Sequence, residues 1–168
     1  ADDTNIFVKA KNKSQAYKNA NEILRSISHY MLLNRLHINM SKCTFIDFNP
    51  TKTEDSNVEH VIKIKGTKIK QVTETKFLGV TIDENLNWDA HISNLSKKLS
   101  CSAGILNSIM KNIPAELYKD LYYTLFESHL TYGITVWGGV KNNKIETLFK
   151  IQKKCIRILF GDKEAYLN

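Results

Sequence analysis

Two aspartates stand side by side at the start of the chain, Ala1-Asp2-Asp3-Thr4, just ahead of an extended apolar run, Asn5-Ile6-Phe7-Val8. Adjacent carboxylates repel, so a site built on such a pair makes sense mainly where a divalent cation absorbs the charge. At a hairpin turn before that run, both side chains can reach a shared ion. The plain alternative is a polar chain end. A turn this close to Ala1 has lost its first strand, and neither an initiator Met nor a signal-type segment precedes it. Ala1 is therefore expected to be a cut into a longer protein, and the uncapped Asn168 end reads the same way.

The second chemical resource is positive charge. The chain carries +7, and residues 97–168 hold 11 basic against 6 acidic side chains while residues 1–96 are nearly balanced. Lys97, Lys98, Lys111, Lys150, Lys153, Lys154 and Arg157 are the candidates for phosphate contact. Cations of this kind give affinity for nucleic acid without sequence preference. An ordinary solvated helix face is the competing reading.

Other chemistries find little support. Cys43, Cys101 and Cys155 are odd in number and far apart. They fit reduced thiols in an intracellular protein, nuclear or cytoplasmic. With the five histidines they form no zinc-type spacing. No apolar run approaches the roughly 20 residues needed to span a bilayer, so no membrane partner is expected.

The elements that must position these residues read as α+β. Ser14 is a candidate N-cap for a helix with apolar positions at Tyr17, Ala20, Ile23, Ile27 and Tyr30, ending near Leu36. Strands are expected over 43–48, 58–65, 69–72 and 77–82, arranged as antiparallel hairpins, with Gly66-Thr67 as one tight turn. Residues 51–57 read as a loop. Beyond Trp88 the period changes. Ile92, Leu95, Leu99, Ala103, Leu106 and Met110 form one helical stripe, and Leu117, Leu121, Leu125 and Val136 a second, weakened at Gly133. Ile145, Leu148, Cys155 and Leu159 form a third, stopped at Gly161. A boundary is expected at 87/88, between an α+β part (1–87) and a three-helix bundle (88–168).

Several stretches, in this order, resemble the reverse transcriptases of non-LTR (LINE-type) retrotransposons. Ala1-Asp2-Asp3 is similar to the end of the family's aromatic-X-Asp-Asp motif, without the aromatic. Ile38-Asn39-Met40-Ser41-Lys42-Cys43 resembles the next motif, with Cys43 where the family usually has threonine. Phe77-Leu78-Gly79-Val80 followed by Leu86-Asn87-Trp88-Asp89-Ala90-His91-Ile92 is the most specific match. Tyr132-Gly133 through Trp137-Gly138, and Gln152-Lys153-Lys154 through Arg157, resemble the region downstream of the polymerase core.

The resemblance implies a partial polymerase palm, antiparallel hairpins plus one helix, followed by a thumb-like helical lobe. It implies RNA-directed DNA synthesis from deoxynucleoside triphosphates on an RNA template and DNA primer, with two magnesium ions about 3.5–4 Å apart. Asp2 is then a catalytic metal ligand and Asp3 a weaker participant or turn-former. Lys42 is a proton donor or triphosphate-holding charge, against the alternative of a solvated loop lysine. Phe77, Leu78 and Gly79 form a primer-grip-like hairpin, in which Gly79 lets another backbone approach. A further family aspartate and the fingers lie outside this chain, so the stretch alone is expected to be inactive. The alternative function is a nucleic-acid-binding remnant or co-opted module without polymerase chemistry. Trp88 and Trp137 are expected to be packing residues rather than base-stacking platforms.

Overall fold

The computed structural model of the chain describes residues 4–48, 61–140 and 142–161, the side chains of Lys111 and Asn142 apart. It is an α+β structure whose contacts divide it into two compact units, residues 1–73 and 74–168.

In the first unit, helix α1 (Lys13–Leu33) starts under Asn12, whose side chain accepts the Gln15 N–H at 2.8 Å. The cap is thus Asn12 and not Ser14. Both side chains could cap, and Asn12 is the one whose carbonyl lies three residues before a free helical N–H. The helix ends three residues before Leu36, and Arg35 then takes a left-handed φ of 56°.

The strands are short. β1 (Thr44–Phe45) pairs with β4 (Lys70–Gln71) in parallel, which corrects the expectation of antiparallel hairpins throughout. β2 (Lys63–Ile64) and β3 (Thr67–Lys68) do form an antiparallel hairpin. Its turn is Lys65-Gly66, both at positive φ as a type I′ turn requires. The core gathers Tyr17, Ala20 and Ile62, with Val8, Leu24, Phe45 and Ile69 packed around them. Tyr17 meets Phe45 edge-on at 5.9 Å and donates its hydroxyl to Asp47, which also pairs with Lys13 at 2.8 Å. Burial and the Asp47 carboxylate both push the Tyr17 hydroxyl pKa up.

The second unit opens with a hairpin, β5 (Glu74–Phe77) and β6 (Val80–Asp83), paired antiparallel in register Phe77↔Val80 through Glu74↔Asp83. The expected single strand over 77–82 is therefore folded back on itself at Leu78-Gly79. By its contacts the β5–β6 hairpin belongs with the helices that follow it, since Val80 of β6 joins their core.

Helix α2 (Asp89–Ile109) follows. A helical stretch over 110–137 contains α3 (Tyr118–Tyr122), a π-helical turn (Tyr123–Glu127), α4 (Ser128–Thr131) and α5 (Ile134–Trp137). The chain ends its described part in α6 (Asn142–Phe160). Gly133 does more than weaken the middle helix: at φ 65° it separates α4 from α5. Gly161, at φ 75°, donates its N–H to the Arg157 carbonyl and stops α6. The core aligns Ile92, Leu95, Leu99 and Leu106 of α2 with Leu148, Cys155 and Leu159 of α6, and adds Phe126 and Trp137. Trp137 is 2% exposed, a packing residue as its sequence context suggested.

Candidate nucleic-acid interface

Three of the motif stretches, 77–80, 86–92 and 132–138, meet around the β5–β6 hairpin. Leu78 and Gly79 hold φ of 45° and 82°, a two-residue turn whose twist suits the flanking strands. Leucine rarely takes that conformation. Contacts from 54 residues away hold it there: the Tyr132 hydroxyl donates to the Leu78 carbonyl at 2.7 Å. A Cβ on Gly79 would lie 3.0 Å from the Tyr132 ring, so glycine permits that approach. The Leu78 side chain itself is 74% exposed, an apolar group presented at the hairpin tip, while Phe77 is half-buried.

A carboxylate shapes the loop after the hairpin. Asp83 accepts the N–H groups of Asn85 (3.0 Å), Asn87 (3.1 Å) and Trp88 (2.8 Å). Trp88 then takes a left-handed φ of 65° and α2 begins. Lys144 of α6 donates to the Asn87 carbonyl at 2.7 Å and pairs with Asp89 at 2.6 Å, so α2 and α6 start side by side.

Beneath, His91 is buried and its Nδ1 accepts the Thr81 N–H at 3.3 Å, which places the neutral ring's hydrogen on Nε2. That Nε2 has no hydrogen-bond partner among the described residues. Burial lowers the His91 pKa. The ring lies 5.5 Å from that of Trp137, whose Nε1–H donates to the Tyr132 carbonyl at 3.0 Å. Hairpin, loop, helix start and the Tyr132–Gly138 segment thus brace one another. Asp83, His91, Tyr132 and Lys144 were absent from the sequence-derived site. His91 and Tyr132 lie within the motif stretches quoted from the sequence, while nothing in those stretches signalled Asp83 or Lys144.

The basic residues lie on helix surfaces. Lys150, Lys153, Lys154 and Arg157 follow at i, i+3, i+4 and i+7, one exposed face of α6 opposite its buried Leu148, Cys155 and Leu159. Lys150 and Lys154 border a cleft of about 440 Å³ whose α2 wall is Ser100, Ala103, Gly104 and Asn107. Gly104 leaves open space there. Lys97 is exposed on α2 one turn before Ser100, and Lys98 is exposed beside it. Lys98 bears on His129, whose pKa is lowered first by burial and then by that neighbouring charge. Lys111 falls in the 3₁₀ turn Met110–Asn112, its side chain outside the described set.

In the first unit, Lys42 is exposed in a turn organised by Asn39. The Asn39 side chain accepts from the Ser41 N–H and hydroxyl, and its carbonyl accepts the Lys42 N–H at 3.1 Å and the Cys43 thiol at 3.3 Å. Asparagine suits that position because its side chain mimics a backbone acceptor. Asp2 and Asp3 lie outside the described residues. Among the described residues no group of three or more His, Cys, Asp or Glu side chains could hold a metal, and no helix is long and apolar enough to cross a membrane. The three cysteines are unpaired, and burial pushes the Cys155 thiol up to about 11.

Over nearly its whole length the chain is similar to RNA-directed DNA polymerases of non-LTR mobile elements, as the motifs indicated. The relatives include the polymerase from the mobile element jockey of Drosophila melanogaster, 22% identical over 96% of this chain, and the probable polymerase from transposon X-element of the same fly, 21% identical over 96%. A Pol polyprotein from the type-1 retrotransposable element R1 of Bradysia coprophila is 30% identical over 45% of the chain and covers 8% of its own length. The chain spans 18% of the length of the jockey and X-element relatives. No protein-family model and no solved structure matches it.

Proposed function

We propose that this chain is a section of a retrotransposon reverse transcriptase, an RNA-directed DNA polymerase acting on an RNA template, a DNA primer and deoxynucleoside triphosphates inside the cell. The observation that carries the reading is the alignment with mobile-element polymerases across 96% of the chain. Residues 1–87 correspond to the later part of a palm, and 88–168 to a thumb-like lobe on which the β5–β6 hairpin is packed.

Asp2 and Asp3 are the residues that would hold magnesium, a hard cation suited to paired carboxylates, and the bound metal would activate the primer hydroxyl and steady the leaving group. Lys42, on a turn fixed by Asn39, supplies a mobile ammonium for the triphosphate or a proton for the pyrophosphate. Leu78 and Gly79 press against the primer strand near its end. Tyr132 holds the Leu78 carbonyl of that turn. Lys97, Lys98, Lys111, Lys150, Lys153, Lys154 and Arg157 contact phosphates. Alone, the stretch lacks the fingers and a third carboxylate, and makes no DNA.

The test is primer extension on an RNA template by the complete polypeptide that contains this chain. Magnesium-dependent DNA synthesis is expected. Nucleic-acid binding without synthesis would overturn the polymerase reading and leave a binding module.

A further inference from the structure

The first unit carries basic chemistry that the residues above do not use. Lys63-Ile64-Lys65-Gly66-Thr67-Lys68-Ile69-Lys70 places four lysines in eight residues without an acid. Lys63 and Lys68 stand directly opposite each other across β2 and β3, a like-charge pair that works against the hairpin. Lys63, Lys65 and Arg25 make no ion pair with an acid among the described residues.

The three cations border one cleft of about 690 Å³ between α1 and the β2–β3 hairpin, lined by Asn21, Arg25, Ser28, Lys63, Lys65 and Gly66. Asn21, Arg25 and Ser28 recur at i, i+4 and i+7 on one face of α1. Asn21 pins the hairpin to that face. Its side-chain amide donates to the Tyr17 and Val61 carbonyls, and its oxygen accepts the Lys63 N–H, each at 2.9 Å. The cations therefore project from a fixed frame. Ser28 is 8% exposed, and its hydroxyl has no hydrogen-bond partner among the described residues. A buried hydroxyl is ordinarily paired, so an unpaired one in the wall of a cationic cleft points to an absent acceptor.

We propose that this cleft binds a phosphate group, with Arg25, Lys63 and Lys65 supplying charge and the Ser28 hydroxyl a hydrogen bond. The guanidinium fork suits two oxygens of one phosphate, and the lysines act as point charges beside it. The phosphate chemistry is shared by the backbone of a nucleic-acid strand and by a free polyphosphate. The site does not depend on the polymerase reading, since its ligand would bind whether or not the polypeptide makes DNA.

The test uses the 168-residue chain and backbone amide NMR. The chain is titrated separately with inorganic tripolyphosphate and with a mixed-sequence single-stranded oligonucleotide. Shifts at 61–67 and on α1 around Arg25–Ser28 are expected. Tighter binding of the oligonucleotide assigns the phosphate to a strand; tighter tripolyphosphate binding assigns it to a free polyphosphate. Replacing Arg25, Lys63 and Lys65 with glutamine should reduce the oligonucleotide salt slope by about two, at roughly 0.7 per phosphate neutralised. Arg25→Lys keeps the charge and should retain most of the slope. Ser28→Ala should weaken binding about fivefold, the worth of one hydrogen bond. Shifts confined to residues 97–161, or an unchanged slope in the triple variant, overturn the proposal. An unchanged affinity in Ser28→Ala overturns the hydroxyl's part in it.

Discussion

Two glycine-to-alanine substitutions in the second unit should move stability in opposite directions. Gly133 sits at φ 65°, and a Cβ there would lie 3.1 Å from Val80 Cγ2, inside the core shared with Trp137. A residue with a Cβ in the left-handed region costs about 1–2 kcal/mol. Crowding a packed core adds on the order of 1 kcal/mol, so Gly133→Ala should cost ~2–3 kcal/mol. Gly104 lies within α2, and a Cβ there meets nothing within 4 Å. Alanine is the better helix residue by roughly 0.5–1 kcal/mol, so Gly104→Ala should stabilise by about that much. Both tryptophans, Trp88 and Trp137, belong to the second unit, so urea unfolding followed by tryptophan fluorescence reads this unit alone. In melting temperature the variants should move about 8–24 °C down and about 2–8 °C up, at roughly 4–8 °C per kcal/mol for a unit of this size. A Gly133→Ala protein as stable as Gly104→Ala would refute the placement of the Tyr132–Gly138 segment against the hairpin.

Other expectations follow from the same geometry. His91 has a lowered folded pKa, so it binds protons more readily unfolded. Its contribution is full above the unfolded value near 6.5 and is lost as pH falls through the folded pKa. Second-unit stability should therefore decline on acidification below about pH 6.5, and His91→Gln should flatten that decline; an unchanged slope in the variant would mean another group titrates. Tyr132→Phe should cost about 0.5–1.5 kcal/mol by freeing the Leu78 carbonyl, read by the same urea unfolding. Changing Lys150, Lys153 and Lys154 to glutamine should lower the magnitude of the duplex-DNA salt slope by up to about two or three, at ~0.9 per phosphate, without altering preference among sequences. Affinity and slope unchanged at low salt would make these lysines an ordinary solvated face.

The helices were readable because apolar side chains at three- and four-residue steps must share a face, and Leu99, Leu106, Leu148 and Leu159 are buried as that spacing requires. Gly161 and Gly133 were readable as interruptions because positive φ selects glycine. The hairpin tip was not. An apolar run with one glycine reads as a strand, and nothing local announces that Leu78 turns at φ 45° when the group that holds it, Tyr132, is 54 residues away. The parallel pairing of Thr44–Phe45 with Lys70–Gln71 is likewise long-range and too short to leave a period. For the site, charge pattern located the α6 face, while the roles of Asp83 and Lys144 rest on backbone groups that sequence alone does not place.

The polymerase reading rests most directly on Asp2. In the complete polypeptide, Asp2→Ala should be compared with the unaltered protein for RNA-templated primer extension and, side by side, for template–primer affinity. The reading predicts that extension is abolished while affinity stays within about twofold, because phosphate contacts from the lysines, not the carboxylate, supply binding. Extension that survives the substitution, or affinity that falls together with it, would contradict a metal-holding role for Asp2 and the reaction proposed around it.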